Sequence, residues 1–164
     1  MEFRDHTRHQ VLSQFRTLSR ALIDASSIIY MHKAGFFTEL ANTVSLYSPR
    51  EIVAETGYND LYILPVACTS NSLSNDQKLI TAALKLRWPV ISEDGNILLR
   101  MQRAQLPYFN ALMMLNLLLF RKRIDLRSHA MYFERLKQYA WYSPHVLEFG
   151  ENIYNTIAGL CRQA

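Results

Sequence analysis

The chain has 164 residues, a length typical of one domain and sufficient to bury a substantial core. Hydrophobic residues make up 49% and charged residues 20%, which argues against intrinsic disorder. The formal net charge of +4 favours a polyanionic partner only weakly, because many proteins are mildly basic. Cys68 and Cys161 lie far apart without metal-ligand spacing, so we expect free thiols in a reducing compartment.

Neither a secretory signal nor a membrane span is predicted. Residues Met1–Arg20 contain no apolar segment of the kind that signal peptides carry. The most apolar run, Ala111–Phe120, is about half as long as a bilayer requires. We therefore expect a buried core helix at this run, and a cytoplasmic protein without a membrane partner.

The first predicted elements are a helix and a strand that ends at an acid. Apolar residues at helical spacing predict an amphipathic helix within residues 1–19. Ala21-Leu22-Ile23 is a short buried strand, and Asp24 with the serines after it is typical of a helix N-terminus. The second strand is predicted at Thr43–Tyr47. Pro49 begins the next helix, which carries Glu55.

The rest of the chain continues the alternation of strands and helices. Asp76 is predicted to cap a helix, and Asp94 to follow a strand. In order, the remaining predicted elements are a strand at Leu61–Val66, a polar loop at Thr69–Asn75, a helix from Asp76, a strand at Pro89–Ser92, a helix at Asn96–Arg103, an edge strand at Leu106–Phe109, and helices from Ala111 onward with breaks near Arg127 and Ser143-Pro144.

This alternation predicts an α/β fold, a three-layer α/β/α sandwich around a mainly parallel sheet. Extra helices are expected at both ends. We divide the chain into an N-terminal helical extension at 1–19, a core at 20–125, and a C-terminal helical extension at 126–164 packed on the same domain.

Four acids are predicted to meet at one edge of the sheet. Ligands of open α/β sheets bind outside the carboxyl ends of the strands, where Asp24 and Asp94 are placed. Glu55 and Asp76 lie on helices that begin near the same edge. Singly, Asp76 is explained as a cap, Asp94 as a turn residue and Glu55 as a solvated helix residue. Together, four carboxylates would repel one another and favour a hard cation, Mg²⁺ or Mn²⁺.

The pattern resembles the PIN domain, a nuclease family that includes the VapC toxins of toxin–antitoxin pairs. The similarity covers roughly residues 20 to 125. It is carried by Leu22–Ser26, by Ser48–Glu55, and by Asn75–Ala83 running on to Pro89–Asp94. The resemblance implies a metal-dependent endoribonuclease that hydrolyses phosphodiester bonds of single-stranded RNA. It also implies a homodimer, and it leaves open whether an antitoxin protein is a partner.

The resemblance also assigns roles to residues. The catalytic acids are Asp24, Glu55, Asp76 and Asp94, of which Asp24, Asp76 and Asp94 are the metal ligands. Ser92 would hydrogen-bond the ligand or a carboxylate, and Glu93 is an optional further acid. Basic residues at the rim, Arg50 and Lys78 among them, are expected to recruit RNA, and the cluster Arg121-Lys122-Arg123 is another candidate. Tyr30, Phe36 and Tyr108 could stack on bases, although core packing is the stronger expectation.

Other classes fit less well. A phosphatase of the haloacid dehalogenase type needs an Asp two residues after the first acid, where this chain has Ser26. A receiver-like domain would need paired acids early in the chain and a lysine after a late strand, and neither is apparent. The five scattered glycines disfavour a fold that binds nucleotides through a Gly-rich phosphate loop. A catalytically silent PIN-like module that binds RNA or a protein remains the alternative.

Overall fold

The structure is a computed structural model that describes residues 7–59, 62–68 and 72–163. Some predicted features therefore lie partly outside the described residues. These are the first six residues of the N-terminal extension, Leu61 at the start of the third predicted strand, residues 69–71 of the polar loop, and Ala164 at the end of the C-terminal extension.

Helices and strands alternate along the described chain. In order they are α1 (Arg8–Thr17), β1 (Arg20–Ile23), α2 (Ala25–Ala34), α3 (Phe37–Ala41), β2 (Ser45–Ser48), α4 (Arg50–Glu55), β3 (Ile63–Pro65), α5 (Asn75–Leu86), β4 (Val90–Ile91), α6 (Gly95–Arg103), β5 (Tyr108–Phe109), α7 (Ala111–Phe120), α8 (Leu126–Leu136) and α9 (Pro144–Gln163). The predicted alternation and the α/β class are confirmed.

The strands form a five-stranded sheet in the order β3-β2-β1-β4-β5. Every pairing in it is parallel: Ala21 of β1 is opposite Leu46 of β2, and Ile23 is opposite Ile91 of β4. Parallel strands need crossover connections, and here helices supply them. The result is a three-layer α/β/α sandwich with β1 at the centre of its sheet.

Both faces of the sheet are covered because side chains alternate along each strand. Leu22 and Val90 point into a core that α4, α5 and α6 complete. Ala21, Ile23 and Ile91 point to the other face, which is covered by α1, α2, α3 and α7–α9. A strand buried on both faces reads as a continuous apolar run, as Ala21-Leu22-Ile23 does.

The terminal helices pack into the same core as the central elements. Phe15 of α1, Leu136 of α8 and Ile153 of α9 are all fully buried in the cluster around Ile23. The apolar run Ala111–Phe120 is helix α7, buried along nearly its whole length, as predicted. No helix in the described part of the chain is long and apolar enough to cross a membrane.

One predicted cap is wrong. Ser74, not Asp76, caps α5: its hydroxyl accepts from the backbone N–H of Gln77, and the Gln77 side chain accepts from the backbone N–H of Ser74. This reciprocal capping box satisfies the first turn without an acid. Asp76 instead lies within that turn, where its carboxylate is left available for other contacts.

Candidate active site at the switch point of the sheet

The order of the strands defines a crevice between β1 and β4. From β1 the chain runs outward through β2 to β3, and then crosses back to place β4 on the other side of β1. Connections therefore leave β1 and β4 in opposite directions, and ligands of open parallel sheets bind at such a switch point. Asp24 follows β1 and Ser92-Glu93-Asp94 follow β4, so both segments lie at this crevice.

Asp24 is buried at the centre of the crevice and caps α2. Its Oδ1 accepts from the backbone N–H of Ser27 at 2.8 Å. Its Oδ2 accepts from the hydroxyl of Ser92 and from the backbone N–H of Glu93, the latter at 3.3 Å. Burial raises the pKa of this carboxyl above its ordinary value, and the hydrogen bonds oppose that shift.

Ser92 and Asp94 fix the loop that leaves β4. The Ser92 hydroxyl is fully buried, donates to Asp24 and accepts from the backbone N–H of Asp94 at 3.0 Å. Asp94 caps α6 by accepting from the backbone N–H groups of Asn96 at 2.7 Å and Ile97 at 3.2 Å. Two helix N-termini, those of α2 and α6, thus direct positive dipole ends to the crevice and favour negative charge there.

Glu93 is a fifth acid and the centre of a hydrogen-bond network. Its Oε1 accepts from the backbone N–H of Ala111 at 2.7 Å and from the Ser27 hydroxyl at 3.2 Å. Its Oε2 accepts from the Tyr142 hydroxyl at 3.0 Å. Burial raises the pKa of Glu93 to about 7, and the neighbouring charge of Asp24 adds to the shift. Burial and the charge of Glu93 also raise the pKa of Tyr142 well above its ordinary value.

Glu55 and Asp76 lie on the exposed side of the crevice, near Asp94. Burial raises the pKa of Asp76, and repulsion from Asp94 and then Glu55 raises it further. The amide of Asn75 donates to Glu55 and connects the end of α4 to the start of α5. The structure therefore brings Asp94 and Glu55 each within electrostatic reach of Asp76, while Asp24 contacts the inner pair Ser92 and Glu93.

The acids approach one another without forming a closed coordination shell. Across residues 7–59, 62–68 and 72–163, no three His, Cys, Asp or Glu side chains lie close enough to hold a metal ion as they stand. Both acids of the outer pair, Glu55 and Asp76, are solvent-exposed, and Glu55 accepts a hydrogen bond from the Asn75 amide. The donor type, carboxylate oxygen, suits Mg²⁺ or Mn²⁺.

The two basic residues predicted to bind substrate differ in their surroundings. Arg50 is exposed at the start of α4, beside the carboxyl end of β2. Lys78 is buried on α5, and its ammonium lies 3.2 Å from the carboxylate of Glu51. The Lys78 charge is therefore paired within the fold, whereas Arg50 faces solvent.

The aromatic residues predicted to stack on bases also differ in how exposed they are. Phe36 and Tyr108 are buried in the core, which leaves neither ring a face to offer a base. Tyr30 is only half-buried on α2 and packs against the edge of the core.

Sequence reasoning missed Ser27 and Tyr142, and it treated Glu93 as optional. Ser27 could have been suspected, since a serine three residues after an N-cap acid faces back into the first helical turn. No pattern in the sequence points to Tyr142, because its contact with Glu93 spans 49 positions.

Comparison with known proteins adds no relative. No family model, no curated protein and no solved structure matches the chain.

Proposed function

We propose that this protein is a Mg²⁺- or Mn²⁺-dependent endoribonuclease that hydrolyses phosphodiester bonds of single-stranded RNA. One observation carries the proposal: four acids, Asp24, Glu55, Asp76 and Asp94, border the switch point of a parallel sheet, and the pKa of Asp76 is raised in part by two of the others. Mutual repulsion of this kind costs stability unless a cation relieves it. The resemblance to PIN domains supplies the reaction and the substrate.

The donors fit a hard divalent cation. Asp24, Asp76 and Asp94 would hold it, directly or through water, and Glu55 would bind or position the attacking water. When bound, the metal supplies polarisation of a phosphoryl oxygen and a lowered pKa of its water. Ser92 would orient Asp24 by donating its hydroxyl to the carboxylate, as residues that hydrogen-bond metal ligands commonly do.

Recruitment of RNA falls to cations outside the crevice, because the acids repel phosphate. Arg50 is exposed at the rim and is the best placed of the two predicted contacts. Lys78 would act indirectly. Its ammonium pairs with the carboxylate of Glu51 and so neutralises a negative charge that would otherwise repel RNA near the strand ends. The net charge of +4 across the whole chain supports electrostatic recruitment.

The test is cleavage of mixed single-stranded RNA with Mg²⁺ or Mn²⁺ by wild type and Asp24→Asn. Asparagine keeps the cap of α2 but removes the charge. We expect cleavage that depends on the metal and falls by at least about a hundredfold in the variant, since even the loss of a residue that only hydrogen-bonds a metal ligand costs up to that much. Asp125→Asn is the matched control, because Asp125 caps α8 through Ser128 as Asp24 caps α2 through Ser27.

Cleavage at the wild-type rate by Asp24→Asn would contradict the assignment of the site. Loss of activity in Asp125→Asn as well would trace the effect to capping rather than to chemistry.

The second candidate is a silent module that binds RNA or a protein without cleaving. The incomplete convergence of the acids in the described residues favours it. Thermal unfolding with and without Mn²⁺ separates the two, because a cation that binds the folded state raises the unfolding midpoint progressively with its concentration, whereas a silent module should show little change. A toxin role with an antitoxin partner, and a homodimer, are further predictions; co-purification and sedimentation measure them.

A further inference from the structure

Trp141 is the most exposed large hydrophobic residue in the described part of the chain. Its side chain is 91% exposed, while Ala140 before it is buried and Tyr142 after it is half-buried. An exposed tryptophan leaves a large apolar surface in water, and such surfaces commonly mark binding sites. Its neighbours fix its position: the N–H of Ala140 bonds the carbonyl of Leu136 at 2.9 Å, and the Tyr142 hydroxyl bonds Glu93.

Trp141 follows the C-terminus of α8, and Tyr139, two residues before it, lies over the outward face of α2. Ser26, Tyr30 and Lys33 share that face at helical spacing, and none of them is buried. The ammonium of Lys33 lies 5.0 Å from the ring centroid of Tyr139, and the Tyr142 hydroxyl donates to Glu93 in the crevice at 3.0 Å. The segment from Tyr139 to Tyr142 therefore runs back along α2 towards the acids.

These contacts define a positively charged surface that runs along α2. From Asp24 to Lys33 the helix rises about 13 Å, at 1.5 Å per residue. Lys33 and Arg135 are exposed beside it, and neither forms an ion pair within residues 7–59, 62–68 and 72–163. Arg135 lies next to Gly35 at the end of α2.

We propose that a single-stranded RNA leaves the acidic crevice along α2 and stacks an unpaired base on the indole of Trp141, with Lys33 and Arg135 contacting its phosphates. The inference rests on the proposed function for the class of substrate. Exposed aromatic rings interleaved with cations are how proteins hold single strands without reading their sequence. Trp141 is in this sense a binding residue and takes no part in the chemistry.

The test uses tryptophan fluorescence, because the chain has two tryptophans that report on different places. Trp88 lies next to Tyr47 and Arg20, at the start of β4 and so at the opposite edge of the sheet. In Asp24→Asn/Trp88→Phe with Mg²⁺, Trp141 is the reporter and cleavage is removed. We expect quenching by a single-stranded RNA of about ten nucleotides. An abasic strand of equal length, which keeps every phosphate, should give none.

Affinity supplies the second measurement. We expect Trp141→Ala in the Asp24→Asn background to bind the RNA roughly tenfold or more weakly, whereas Trp88→Phe should bind as tightly as its parent. Unchanged affinity in Trp141→Ala, or equal quenching by the abasic strand, overturns the proposal. Quenching that follows protein concentration without RNA also overturns it, since a second copy would then cover the ring.

These outcomes separate the two proposals. Metal-dependent cleavage by wild type with no effect at Trp141 leaves the ribonuclease assignment standing and removes the stacking site. If RNA quenches Trp141 only when it carries bases, and the wild-type protein cleaves no RNA, the stacking site is supported and the ribonuclease assignment is contradicted. Thermal unfolding of Trp141→Ala checks its fold, which should be intact because so exposed a side chain contributes little packing.

Discussion

The carboxylate of Asp24 is buried in the crevice, and the Ser92 hydroxyl is one of the donors that stabilise it there. A buried charge is costly unless its oxygens find donors. Asp24 finds donors in two elements: the backbone N–H of Ser27 at the start of α2, and the Ser92 hydroxyl and Glu93 N–H after β4. Ser92 bonds Asp94 as well, so one hydroxyl connects two of the proposed metal ligands.

Ser92→Ala should therefore destabilise the protein. The substitution leaves a buried oxygen of Asp24 short of a donor and the N–H of Asp94 short of an acceptor. We expect the free energy of unfolding to fall by about 1–3 kcal/mol in chemical denaturation. Ser92→Thr keeps the hydroxyl and should recover most of the loss. Ser26→Ala, an exposed serine on α2, is the control and should change stability by less than about 0.5 kcal/mol.

A loss in Ser92→Ala no larger than in Ser26→Ala would show that the buried hydroxyl is not needed to hold Asp24.

Among the elements, α1 is held against the core by aromatic packing of Phe15 and by hydrogen bonds from the guanidinium of Arg121. The Phe15 ring lies 6.1 Å from that of Phe109 and 5.8 Å from that of Phe120, measured between centroids. Arg121, directly after α7, donates to the carbonyl oxygen of Phe15 from Nε at 3.1 Å and from Nη2 at 2.7 Å. It also reaches the carbonyl of Leu18. Arg121 thereby satisfies carbonyls that the end of α1 leaves open.

Arg121→Ala should loosen α1 without unfolding the sheet. Hydrogen bonds to a charged donor contribute about 1.5–3 kcal/mol, so a loss of that size is expected. Hydrogen exchange followed by mass spectrometry should show it as faster exchange in α1 than in β1. Arg123→Ala is the matched control: Arg123 is exposed, two residues away and of equal charge. Equal exchange in α1 of both variants would contradict the role of Arg121.

At the level of elements, the sequence predicted most of what local rules decide. The sequence places Asp24 at a helix start because an acid followed by serines after an apolar strand is a strong local signal, and Asp24 caps α2. Asp94 is predicted to follow a strand, as it does, and the structure adds that it caps α6. The cap predicted at Asp76 lies two residues after the observed cap, Ser74, because Ser74 and Gln77 form a capping box at the first turn of α5. The cluster Arg121-Lys122-Arg123 was assigned to RNA, whereas Arg121 is engaged by α1, a contact that only the tertiary fold creates.

Across the whole molecule, the alternation of apolar runs in the sequence predicts the parallel sheet, but no sequence pattern predicts the contacts that the C-terminal helices make. Tyr142 approaches Glu93 because α8 and α9 fold back over α2 and α7, and no spacing in the sequence encodes that approach. The same holds for His129 of α8, which is 4% exposed. The amide of Asn116 on α7 donates to the carbonyl of Gly150 at 3.0 Å, so its oxygen accepts from His129 Nε2 at 2.8 Å.

This buried histidine makes the stability of the whole fold depend on pH. Burial lowers the pKa of His129 from 6.5 to about 4. Between these two pKa values the imidazole is protonated in the unfolded chain but neutral in the folded one. The free energy of unfolding therefore decreases as the pH falls from about 6.5 to about 4. The full loss corresponds to about 3 kcal/mol. Lys137 and Glu151 line the same cavity of about 370 Å³, and Tyr154 stacks on the imidazole at 4.7 Å between centroids.

The difference between wild type and His129→Gln isolates this contribution. Glutamine retains a donor for Asn116 but does not titrate. Glu93 acts in the opposite direction, because a carboxyl whose pKa is raised binds its proton more tightly in the folded state. Subtracting the two profiles, measured by denaturant unfolding between pH 4 and 7 in EDTA, cancels that common term. We expect wild type to lose up to about 3 kcal/mol more than His129→Gln as the pH is lowered, and parallel profiles would show that the imidazole is protonated or solvated in the folded protein.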